Sequence, residues 1–126
     1  MDLAVACYAV AMRLPNEERY GLASQVRRAA VSVPSNIAEG HLSGSDGILG
    51  RHLRISLGSV GELQTHMELI PRLGLLQRAE VQPALEQLTR TTQVLHGFVR
   101  SVRAKRIKKA GMVGVIWLVW FTSVLA

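Results

Sequence analysis

The apolar residues Leu49, Leu53, Leu57, Val60, Leu63, Met67 and Ile70 recur at steps of four, four, three, three, four and three. Side chains three and four positions apart share one face of an α-helix, whereas a strand changes face at every residue, so this stretch buries its apolar side only as a helix. The spacing predicts a helix from about Ile48 to Leu73, with Arg51, Arg54, Glu62 and Glu68 on its other faces. Ser45 or Asp46 is placed to cap its start, and Pro71 followed by Gly74 marks its exit. Gly58 and Gly61 each cost the helix about 1 kcal/mol in propensity. With Ser59 they form a smooth patch that another helix could approach closely.

Three further segments carry the same period. Leu3, Cys7, Val10, Ala11 and Leu14 predict a short first helix stopped by Pro15, with the polar "NEERY" as a turn. Leu22, Val26, Ala29, Ala30, Val33 and Ile37 predict a second helix from about Tyr20 to Glu39. Pro34 lies inside it, has no N–H for the Ala30 carbonyl, and predicts a kink or local break. Gly40 to Gly50 holds four glycines and two serines and reads as a flexible connection. Val81, Leu85, Leu88, Leu95, Val99 and Val102 predict the last helix, Ala79 to about Ile107, with Thr92 in the gap of its stripe and Pro83 in its first turn. Four helices joined by short turns make an all-α, antiparallel up-and-down four-helix bundle, here with an apolar C-terminal extension. At 126 residues the chain has room for one core, so the expected division is a bundle domain over 1–109 and a tail over 110–126.

With 48% hydrophobic but only 5% aromatic residues, that core must be aliphatic. A single cysteine excludes an internal disulfide, and Cys7 on an apolar stripe reads as a buried structural thiol. No basic region followed by a cleavable apolar stretch stands at the N-terminus, which points to the cytoplasm. The net charge of +6 is localised: Arg100, Arg103, Lys105, Arg106, Lys108 and Lys109 carry six positive charges with no acid among them. Removing those six from the fifteen Lys and Arg leaves nine, matched by nine Asp and Glu. The case for a polyanionic partner therefore rests mainly on this one segment. It has no interleaved aromatics, so it suits contact with phosphates or lipid headgroups rather than stacking on bases.

Ala110 to Ala126, "AGMVGVIWLVWFTSVLA", contains no charge. Its seventeen residues reach about 25 Å as a helix, against about 30 Å of hydrocarbon. Three readings are open: a membrane anchor with the basic cluster on the cytoplasmic side, burial against another subunit, or a frameshifted end without a selected role.

Reactive chemistry is not indicated. His52 and His66 stand fourteen residues apart on one expected helix, about 21 Å along its axis, too far to share a metal. Glu62 precedes His66 by four and no second such pair occurs, unlike a di-iron bundle. His41 and His96 complete the set of histidines. No phosphate-binding loop, nucleophile elbow or paired cysteine motif is present. The expectation is a non-enzymatic protein with no catalytic residue, no metal and no cofactor.

The stretches "LPNEERYGLASQVRRAAVSVPSNIAEG", Leu14 to Gly40, and "LRISLGSVGELQTHMEL", Leu53 to Leu69, closely resemble the four-helix bundle family named for proteins encoded in intervening sequences of 23S ribosomal RNA genes. The resemblance covers about Leu3 to Val102; the sequence after Lys109 lies outside it. It implies an antiparallel bundle, commonly a cyclic homopentamer, without catalysis. A related branch, the accessory variability determinant of diversity-generating retroelements, forms a pentameric barrel that binds a reverse transcriptase and RNA, so RNA or such an enzyme is the implied partner. Within the matching residues, Arg27 and Arg28 point about 100° apart on a helix, one placed to pair within the bundle and the other to face outward. Asn36 with Glu39, and Ser59 with Glu62, repeat a three-residue spacing on two helices and suggest a polar layer, with Arg27 or Arg28 neutralising Glu39 or Glu62. That layer reads either as a recognition surface or as a hydrogen-bond network fixing helix register. Relatives often carry a basic residue after "AEG", where this chain has "HLSGSDG" with His41 its only titratable base. The departure shifts the candidate binding residues toward Arg100, Arg103, Lys105, Arg106, Lys108 and Lys109.

Overall fold

Proline at position 15 holds Leu14 in an extended conformation, φ −67° and ψ 149°, and so ends the first helix, α1, Asp2–Arg13. This computed structural model describes residues 1–125; Ala126, the last residue of the expected tail, lies outside the described residues. The polar turn after Pro15 is a single 3-10 turn, Asn16–Glu18. From it the Glu18 carboxylate accepts the backbone N–H of Leu22 at 2.9 Å, satisfying one of the unpaired donors that open every helix.

The second helix, α2, Leu22–Leu42, passes through Pro34 without the expected break. The carbonyl that Pro34 leaves without its helical donor is that of Ala30, and two other carbonyls of the same turn take side-chain donors. Ser56 donates to the Val33 carbonyl at 3.1 Å, and Asn36 donates to the Ser32 carbonyl at 2.9 Å. The flexible connection expected over Gly40 to Gly50 is also corrected. Helix α2 continues to Leu42, the third helix, α3, spans Asp46–Arg72, and only Ser43 to Ser45 lie between them. Gly44 adopts φ +67° in this turn. Ser45 is the N-cap, its hydroxyl accepting the N–H of Ile48 at 3.5 Å.

At the far end of α3, Gly74 takes φ +70°. The N–H of Gly74 reaches the Pro71 carbonyl at 3.0 Å and that of Leu75 the Ile70 carbonyl at 3.2 Å, a left-handed helix stop that explains a glycine here. The fourth helix, α4, Arg78–Leu125, begins with Glu80 accepting the N–H of Gln77 at 2.7 Å. It does not end near Ile107 but runs 48 residues, about 72 Å, through the basic cluster and the apolar tail. No proline follows Pro83 to stop it.

Paired positions fix the directions of the helices. Ser59, Ser56 and His52 of α3 meet Ser32, Val33 and Asn36 of α2 in reverse order. Glu68, Gly50 and Asp46 of α3 likewise face Arg78, Val102 and Lys109 of α4. Arg13 of α1 pairs with Glu80 near the start of α4 at 2.5 Å, while Leu3 and Leu95 line one cleft further along. The result is the all-α, antiparallel bundle, with no strand among the described residues. Its core is aliphatic: Val26, Leu53, Leu63, Met67, Ile70 and Leu88 are fully enclosed. Cys7 is fully buried too, which pushes its thiol up to about 12, the state of a packing side chain rather than a nucleophile. Thr92, in the gap of the α4 stripe, is half-buried and donates to the Leu88 carbonyl at 2.8 Å. Gly58 and Gly61 are exposed and a Cβ added at either would meet nothing within 4 Å, so of the smooth patch on α3 only Ser59 contacts another helix of the chain, through Ser32 of α2.

Candidate nucleic-acid interface

The expected polar layer is present between α2 and α3 with different members. Ser59 donates to the Ser32 hydroxyl at 2.9 Å, and the Asn36 amide nitrogen reaches the same hydroxyl at 3.1 Å. Because that nitrogen is occupied by Ser32, Asn36 turns its Oδ1 toward His52, whose Nδ1 donates to it at 3.0 Å. Glu39 lies 3.7 Å from the same imidazole nitrogen. Glu62 is not part of this layer; it approaches His66 one turn on, at 3.4 Å. The spacing of Asn36, Glu39, Ser59 and Glu62 does not point to Ser32, His52 or Ser56 as members of the layer. Ser32 precedes Asn36 by one turn, a signal that could have found it, whereas His52 and Ser56 join only because α3 packs at this register.

The arginines expected to neutralise the layer do not reach it. Arg27 donates to the Arg19 carbonyl at 3.0 Å and holds the turn before α2, and Arg28 donates to the Gln25 side chain on its own helix. Glu39 and Glu62 have histidine neighbours instead, because twelve residues separate Arg27 from Glu39, about 18 Å along α2. Arg27 and Arg28 therefore stand near the start of α2, while the basic run of α4 lies beside the start of α3, near the end of α2.

That basic run is the concentrated charge of the fold. Arg100, Arg103, Lys105, Arg106, Lys108 and Lys109 are all exposed, and among the described residues only Lys109 is in an ion pair, with Asp46 at 2.8 Å. The hydrogen bond from Lys109, and then the charges of Lys109, Lys105 and Arg106, hold the Asp46 carboxyl below its ordinary 3.8. Arg78 does the same to Glu68, below 4.5, across a 2.5 Å contact. Both carboxylates bind protons less readily folded than unfolded, so their stabilisation is complete above those ordinary values and is lost as pH falls through the lowered ones. Acid titration followed by circular dichroism should therefore show stability falling below about pH 4, with a shallower fall in the Asp46→Asn, Glu68→Gln double variant. An identical fall in wild type and variant would contradict this assignment.

Beyond Lys109 every described side chain is exposed, Trp117 and Trp120 included, whose rings meet edge to face at 5.9 Å. Among the described residues no helix is long and apolar enough to cross a membrane.

Comparison with curated proteins finds no match. A family model, 23S rRNA-intervening sequence protein, matches residues 1–97, three quarters of the chain, and ends within α4 just before the basic run. With the four helices, the antiparallel order and the α2–α3 layer in place, this match shows that the chain belongs to the 23S rRNA-intervening sequence protein family.

Proposed function

We propose that the protein is a non-catalytic, cytoplasmic, homo-oligomeric scaffold that associates with RNA, alone or together with an RNA-handling enzyme such as a reverse transcriptase. One observation carries the reading: Arg100, Arg103, Lys105, Arg106 and Lys108 have no ion-pair partner among the described residues, on a helix stretch that contains no acid. Unopposed cations of this density attract a phosphate backbone whatever its sequence. Self-association is supported by α1, where Val5, Tyr8 and Met12 lie exposed at helical spacing, Val5 at 68% and Met12 at 79%. A pentamer is the number the family resemblance suggests.

The full chain, titrated into labelled single-stranded RNA, should bind with a log–log salt slope of about −2 to −3.5, as expected for three to five neutralised phosphates. No binding at low salt would overturn the reading. Sedimentation of the same sample should show an oligomer, and a monomer at all concentrations would remove that part. The exposed apolar helix beyond Lys109 favours a second reading, contact with an anionic membrane surface. Flotation with vesicles that resists salt but yields to detergent would favour the membrane, whereas RNA binding that salt abolishes favours the scaffold.

A further inference from the structure

Alpha-helical geometry divides the basic run into two sides. At 100° per residue, Arg103 and Arg106 share a face with Val99 and Val102, Arg100 and Lys105 flank it on either side, and Lys108 points to the opposite side of α4. The first face looks onto α3, where Gly50 is buried opposite Val102: a Cβ at Gly50 would lie 3.6 Å from the Val102 side chain, an ordinary contact. One turn further along α3, Arg54 rises on the opposite bank. A crevice of about 350 Å³ opens there, lined by Gly50, Arg54, Val99, Val102, Arg103 and Arg106.

We infer that this crevice between α3 and α4 is a binding site for phosphodiester groups of an RNA strand, held by Arg54, Arg103 and Arg106. The inference rests on the RNA reading above and gives it a place. None of the three guanidinium groups has an ion-pair partner among the described residues. The nearby acid on the first turn of α3, Asp46, is already engaged by Lys109. Three planar forks facing one crevice from two helices suit the paired oxygens of phosphate, which each guanidinium can hold through two N–H groups. The floor is aliphatic and carries no aromatic ring, so the site offers nothing on which a base could stack and reads the backbone alone. Arg54 is the discriminating residue. It lies outside the basic run, so a purely linear charged segment gives it no role.

The test is fluorescence anisotropy of a labelled single-stranded RNA of mixed sequence with the full chain, across a salt series. Arg54→Gln should reduce the magnitude of the log–log slope by about 0.7, the loss of one phosphate contact. The R54Q/R103Q/R106Q variant should reduce it by about 2 and weaken low-salt binding about tenfold or more. Lys108→Gln, an equal charge loss on the other side of α4, should do less than Arg54→Gln. Arg54→Gln without effect, or with an effect no larger than that of Lys108→Gln, overturns the crevice while leaving RNA binding by the basic run intact. No RNA binding by the wild-type chain overturns both. The single Arg54→Gln breaks no ion pair, so it decides the question even if the triple variant unfolds.

Discussion

Replacing Leu53 by alanine should lower the free energy of unfolding by about 2–5 kcal/mol. Leu53 is fully enclosed in the core on α3, between the turns that carry Gly50 and Leu57. Alanine would remove its terminal carbons and leave a cavity that a close-packed interior fills only in part. For a domain with about 5–15 kcal/mol in total, that is a large fraction, and it falls beside the α2–α3 layer and the α3–α4 crevice. Leu53→Met keeps the volume and should cost less than about 1.5 kcal/mol. Denaturant midpoints at one fixed protein concentration measure both. A Leu53→Ala loss below about 1 kcal/mol would show that the side chain is not enclosed as described.

Glycine-to-alanine substitutions should change stability in opposite directions at different sites. Gly40 is buried where α2 crosses α3, and a Cβ there would stand 2.8 Å from the His52 Cβ and 3.2 Å from the Leu49 Cα. Neither atom is the movable end of a side chain, so the helices would have to part. The overpacking should cost about 1–3 kcal/mol, more than alanine returns in helix propensity. At Gly58 and Gly61 an added Cβ meets nothing within 4 Å, and both backbones are helical. There only the propensity term remains, and each alanine should stabilise by about 0.5–1 kcal/mol. The same unfolding measurements compare the three. Stabilisation by Gly40→Ala would refute the close crossing, and destabilisation by Gly58→Ala would refute an open α3 face.

The crossing at Gly40 also shows how far periodicity reaches. The glycines between 40 and 50 look alike in the sequence, and their number suggested a flexible link. In the structure Gly44 turns the chain and Gly40 lets α3 approach α2, whereas at Gly50 an added Cβ would meet Val102 of α4 at an ordinary contact distance. Which role falls to which glycine depends on where the neighbouring helix lies. Pro34 likewise stands within a continuous α2, in a turn whose Val33 carbonyl takes a hydrogen bond from Ser56 of α3. Asn36 and Ser59 could be named in advance because they repeat a helical spacing. Their junction, Ser32, and the His52 that completes the layer required the α2–α3 register.

Helix identity, the aliphatic core, the burial of Cys7 and the concentration of charge between Arg100 and Lys109 were determined by the sequence itself. Each follows from residue type and local spacing, which a helix repeats every 3.6 residues wherever it is placed. The partners of Glu39, Glu62 and Asp46, the course of α2 through Pro34, and the meeting of Arg54 with Arg103 and Arg106 were decided only by the tertiary structure. They join residues tens of positions apart, and packing alone chooses which faces of two helices meet and at what register.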